Sequence, residues 1–135
     1  MIRDATFCET VAGAGAERWP IHILDTAWFD PVSPGQEVVY EWEMQLFLIV
    51  DAAGTVGEHY LHLTFQSEDG LFVEKHVYVD LLQVNHQVQV SWPIRSRVGG
   101  LCRCWAEIFL DEVLVKSLEL RLAEIHPQTE EAGDN

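Results

Sequence analysis

The sequence predicts an all-β fold: an antiparallel β-sandwich of seven to eight strands, with an open β-barrel as the alternative. Three observations carry this. First, apolar and polar residues alternate with a period of two, most clearly over 101–110 and 113–125. There Leu114, Leu118, Leu120 and Leu122 fall on one face, and Ser117, Glu119 and Arg121 on the other. Second, turn signals recur at spacings of about ten residues, which suits a sandwich or barrel. Third, a chain of 135 residues that is 48% hydrophobic, with five tryptophans, has enough apolar surface to bury a core and too much to stay disordered.

The strands are expected at 3–10, 20–29, 37–51, 58–67, 71–80, 85–93, 101–110 and 113–125, in one domain over 1–126. The small, Gly-rich stretch 11–19 reads as a loop or one weak helical turn. Its Gly-Ala-Gly-Ala run lacks the Lys-Ser/Thr pair of a phosphate-binding loop. Asp30-Pro31 and Pro34-Gly35 break the chain before the third strand, and Gly54 to Gly57 before the fourth. Ser67-Glu68-Asp69-Gly70 is a hairpin turn, because Asp-Gly tolerates the positive φ of tight turns. Gly99-Gly100 precedes the seventh strand, and the acidic pair Asp111-Glu112 turns the last hairpin. The polar, acidic stretch 127–135 is expected to be a disordered tail.

Several strands carry more apolar surface than one core needs, among them 101–110, where Trp105 and Phe109 oppose Cys102, Cys104, Ala106 and Ile108. In 37–51, Val38, Tyr40, Trp42, Met44, Leu46, Leu48 and Val50 form one face. The other begins polar with Glu41, Glu43 and Gln45 and turns apolar at Phe47 and Ile49. Either a covering sheet or a subunit interface accounts for Phe47 and Ile49. In 71–80, Leu71, Val73, Val77 and Val79 oppose Phe72 and Tyr78. A sandwich buries one face of each sheet, so the surplus points to an outer face that meets a partner, such as another copy of the chain.

Eight basic and 22 acidic residues give a formal net charge of −14, which repels nucleic acid and anionic membrane as general partners. No acidic residue lies between Asp80 and Glu107, while Arg95, Arg97 and Arg103 do. The span is expected to be a neutral strand and an exposed, arginine-bearing loop, a potential contact surface. Three cysteines, an odd count, argue against a fully paired secreted scaffold. Acidic residues near the N-terminus and no apolar run of about 18 residues argue against a signal peptide or membrane helix. A reducing, cytoplasmic setting is the expectation.

The residues that could carry chemistry give no complete set. Cys102 and Cys104 share a strand face, but a structural zinc site would need Cys8 and a histidine as well. Small buried core residues are the expected role of these thiols. His59 and His62 fall on opposite strand faces, and no His-x-His followed by Glu is present, so no metal or other cofactor is predicted. Glu41 and Glu43 read as the solvated face of an amphipathic strand rather than a catalytic acid pair. No nucleophile elbow, zinc-protease histidine pair or kinase glycine loop occurs, and the chain is expected not to be an enzyme.

Three stretches together carry a family likeness: Thr6-Phe7-Cys8-Glu9 with Ile21 to Thr26; Leu61 to Phe65 with Glu68-Asp69-Gly70; and Gly100-Leu101-Cys102 through Asp111. The chain resembles a group of small bacterial β-sandwich domains of uncharacterised function. It departs from their pattern at Glu9, Asp25 and Leu101, where Asp, Gly and Tyr are usual. The resemblance implies a fold and a bacterial source, and no catalytic residue.

These readings converge on a non-catalytic protein-binding or assembly module that self-associates through an apolar sheet face. Trp92, Arg95, Arg97, Arg103, Trp105, Phe109 and Phe47 are the candidate contact residues, with Arg103, Trp105 and Phe109 on one face of one strand. One alternative is a carrier of a small apolar ligand, with Trp42, Met44, Phe65 and Tyr78 lining a barrel cavity. Another is a metal-dependent enzyme or sensor.

Overall fold

The computed structural model describes residues 1–15 and 17–125, so the predicted tail at 127–135 lies outside it. The described chain forms nine strands: β1 (Ile2–Ala14), β2 (Glu17–Leu24), β3 (Thr26–Phe29), β4 (Tyr40–Asp51), β5 (Gly57–Ser67), β6 (Phe72–Leu81), β7 (Gln87–Val98), β8 (Cys104–Leu110) and β9 (Val113–Glu124). They make a four-stranded sheet, β2-β1-β4-β7, packed on a five-stranded sheet, β3-β9-β8-β5-β6. The β-sandwich is therefore the fold. Among the described residues no helix is long and apolar enough to cross a membrane.

The strand count exceeds the expected seven to eight because the segment 20–29 is broken at Asp25. Its first half, β2, pairs with β1. Its second half, β3, crosses to the other sheet and pairs parallel with β9, Thr26 opposite Arg121 and Phe29 opposite Glu124. The remaining pairs are antiparallel.

Two expected loops are strand. The Gly-rich stretch closes the β1–β2 hairpin, with Ala12 opposite Trp19 and Ala14 opposite Glu17. Strand β7 continues beyond 93 to Val98, so Arg95 and Arg97 stand on a strand. Pro93 is tolerated there because β7 is an edge strand and needs no outward donor.

The core lies between the sheets. Phe7, Leu46, Leu48, Val50, Trp92 and Ile94 face Leu61, Leu63, Phe65, Ala106, Ile108 and Leu120, all buried. Phe7 meets Phe65 edge-on at 5.8 Å between ring centres, and Phe29 meets Tyr40 at 5.0 Å.

One of the two sheets is strongly curled, and contacts between its edge strands identify it as the four-stranded one. Although β2 and β7 are its opposite edges, Arg18 on β2 reaches β7. Its guanidinium donates to Ser91 Oγ at 3.0 Å and to the Gln89 carbonyl at 2.7 Å. Its backbone N–H and C=O bond to the Gln89 side chain, each at 2.8 Å. Strand alternation places Phe47 and Cys8 on the side of this sheet turned away from the sandwich core. Both are nonetheless buried, at 1% and 0% exposure. Ser91 is the cross-strand partner of Phe47, so the arginine that closes the curl sits beside that ring. The surplus apolar surface at Phe47 is thus covered by the chain's own hairpin rather than left for a subunit.

Candidate functional site

The outer face of the five-stranded sheet carries the other apolar surplus. The turn at Ser67 to Gly70 sets the β5–β6 register, which puts Tyr60 opposite Tyr78, His62 opposite His76 and Thr64 opposite Glu74. On the far side of β5, His62 also opposes Phe109 of β8, and Gln66 opposes Trp105. Directly opposed residues share a face, so these side chains form rows across the sheet. The rings fill them. The His62 and His76 imidazoles stack at 4.3 Å between centres and 7° between planes, and Phe109 lies 5.5 Å from His62 on its other side. Tyr60 stacks on His76 at 5.6 Å, and Tyr78 lies 5.3 Å from Tyr60. The row runs out to β6, the sheet edge, where Tyr78 is 69% and Phe72 53% exposed.

Within this row three metal-ligand side chains converge. Glu74 and His76 are two apart on β6 and share its outer face, with His62 across from them. The ligand atoms of the three lie within 4.8 Å of one another. Glu74 Oε1 is 2.7 Å from His76 Nε2 and 3.6 Å from His62 Nε2. The Tyr60 hydroxyl is hydrogen-bonded to His76 Nδ1. His62 Nε2 is buried and has no hydrogen-bond partner among the described residues.

The sequence-predicted contact residues separate into three places. Trp105 and Phe109 do lie on this outer face, both half-buried. Arg103, just before β8, holds its guanidinium 5.4 Å from the Trp105 ring centre and bonds Glu119 Oε2 at 3.2 Å. Arg95 and Arg97 belong instead to the other sheet, opposite Glu43 and Glu41, and Arg95 pairs with Glu43 at 2.8 Å. That pairing leaves Glu41 and Glu43 as the solvated strand face that the sequence suggests. Trp92 is a core residue at 8% exposure, because the inward alternation of Val90, Trp92 and Ile94 continues along the lengthened β7. Phe47 is covered by the curl. These two are therefore not surface residues.

The carrier set does not come together either. Trp42, Met44 and Phe65 are inner-face residues of the sandwich, whereas Tyr78 points outward on β6. The thiols are free but do not gather. Cys104 is fully buried against the core, where desolvation first and then Cys102 push its pKa up to about 12. Cys8 lies under the curl of the opposite sheet, and burial pushes its thiol up as well. His59 pairs with Asp111 at the last hairpin, at 2.6 Å.

Sequence reasoning missed Tyr60, His62, Glu74 and His76 as a group. A signal was present. Counting equal steps outward from Asp69 in the recognised turn opposes His62 to His76 and Tyr60 to Tyr78. Spacing along one strand could not show a set that spans two.

The chain matches no family model, no curated protein and no solved structure.

Proposed function

We propose that this protein is a non-catalytic binding module that assembles with a second copy of itself through the outer face of the five-stranded sheet. One observation carries the reading: a continuous row of half-exposed rings, Phe109, His62, His76, Tyr60 and Tyr78, that ends at the unpaired edge of β6. Aromatic side chains with an arginine at the rim are the composition of interface anchors, and here Arg103 stands over Trp105. An edge strand bordering such a face suits a two-fold partner, since antiparallel pairing of a strand with its own copy is self-complementary. The inert, buried thiols at Cys8 and Cys104 support a role without a cysteine nucleophile, and free thiols fit a reducing cytoplasm.

Light scattering tests this. Two chains of net charge −14 repel, so the mass is expected to rise from monomer toward dimer with protein concentration and with added salt, which screens the repulsion. Trp105→Ala combined with Arg103→Glu should raise the dimer dissociation constant by about tenfold or more while the circular dichroism spectrum is kept. A monomer at all concentrations and salts, or an unchanged mass in the double variant, overturns the reading.

A further inference from the structure

We infer that His62, Glu74 and His76 form a binding site for a divalent transition metal of the zinc class. Two imidazoles and a carboxylate are the donor set such ions prefer over magnesium or calcium, which seek oxygen cages. The placement is compact because of elementary strand geometry. Glu74 and His76, two apart on β6, project from one face, and the register puts His62 directly across from His76. Their ligand atoms already lie within 4.8 Å of one another.

A second, independent observation points the same way. His62 Nε2 is buried without a hydrogen-bond partner and stands 3.6 Å from Glu74 Oε1. A buried polar atom left unpaired is costly, and a bound cation between these groups relieves it. Supporting contacts are also in place: Phe109 and the neighbouring rings restrict the His62 plane.

The two imidazole planes are 7° from parallel, so their lone pairs do not meet at one centre. Binding takes a rotation of the His76 ring and breaks its hydrogen bond to Glu74, in which Nε2 and Oε1 lie 2.7 Å apart. The His76 side chain is 46% exposed, so a solvent-borne ion reaches it, and the rotation exchanges its contacts with Glu74 and Tyr60 for the metal. Three protein ligands leave at least one coordination position for water or another ligand.

This inference does not rest on the assembly reading, and a monomer that binds zinc would reject only the latter. The test is calorimetric titration of the full chain with zinc chloride at about pH 7.5, paired with the visible absorption of bound cobalt as a probe of ligand geometry. One equivalent of zinc per chain is expected. His62→Ala, His76→Ala and Glu74→Gln should each weaken binding by about tenfold or more, and His22→Ala, at the exposed His22–Glu9 pair elsewhere on the molecule, should leave it unchanged. Glu74→Gln changes an exposed side chain and preserves its shape, so it keeps the test valid should a histidine variant misfold. No saturable zinc binding overturns the inference, and so does binding that survives the Glu74 and His76 substitutions or is lost equally with His22→Ala.

Discussion

Gly13 shows how one residue sets the shape of a sheet. It stands at φ +91°, and a Cβ there would lie 2.2 Å from the Glu17 carbonyl oxygen and 2.9 Å from the Trp19 ring. The first of these atoms is backbone of the paired strand and cannot swing aside. Gly15, at φ +65°, has nothing within 4 Å. Gly15→Ala should therefore cost only the left-handed conformational penalty, about 1–2 kcal/mol, while Gly13→Ala should cost at least about 2 kcal/mol more as the hairpin is forced apart. Urea unfolding of the two variants checks this. Equal midpoints would mean that the close approach carries no energy. The sequence showed a small, Gly-rich stretch but not this role. Glycine in sequence marks freedom, and only the opposite strand shows which glycine uses it.

Among the elements, the β8–β9 hairpin is held by a titratable pair. Asp111 and Glu112 both have positive φ, 50° and 69°, as the tight two-residue turn that matches strand twist requires. Asp111 Oδ1 accepts the Tyr60 N–H at 2.9 Å, and its other oxygen meets His59 Nδ1 at 2.6 Å. The hydrogen bond from His59, then that from Tyr60, hold the Asp111 carboxyl below its ordinary 3.8. The bond to Asp111, then that to the Thr55 carbonyl, hold His59 above its ordinary 6.5. A lowered carboxyl contributes stability above its unfolded value, lost as pH falls through the folded one. A raised histidine contributes stability below its unfolded value, lost as pH rises through the folded one. The pair should thus act most strongly at about pH 5 to 6. Asp111→Asn should lower the melting temperature most in that window and progressively less toward about pH 9. A deficit that is constant across pH would show the carboxylate acting only as a turn acceptor. Both this turn and the Ser67–Gly70 turn were legible, because acidic residues and glycine between alternating runs have a mechanism for turning. The bend at Asp25 was not, because nothing in 20–29 interrupts the alternation strongly enough to separate two sheets. The histidine cluster was half legible: its residues were visible, but the pairing that joins them required the β5–β6 register.

At the scale of the molecule, the two apolar surpluses in the sequence have different fates. Composition and alternation foretold both the sandwich and an excess of apolar surface, but not which excess stays exposed. That depends on curl, and curl depends on contacts between strands far apart in the chain. The five-stranded sheet leaves Tyr78 and Phe72 on an open face, whereas the four-stranded sheet closes over Phe47 and Cys8. The closure hangs on Arg18, whose guanidinium ties the β1–β2 hairpin to Ser91 and Gln89 on β7. Arg18→Ala removes those two bonds and keeps the two made by the residue's backbone, so the fold should survive with a loss of about 1–3 kcal/mol. The loss should be local. Opening of the hairpin end would expose Cys8, now fully buried, while Cys104, held between the sheets, stays protected. A thiol reagent followed by peptide mass analysis should then label Cys8 about tenfold faster in Arg18→Ala than in the native chain, with Cys104 labelling unchanged. If both cysteines accelerate together, the molecule opens as one cooperative unit and the curl is not separately held. If neither changes while stability falls, Phe47 and Cys8 are covered by packing of β1 and β2 alone, and the arginine contributes only to the edge it touches.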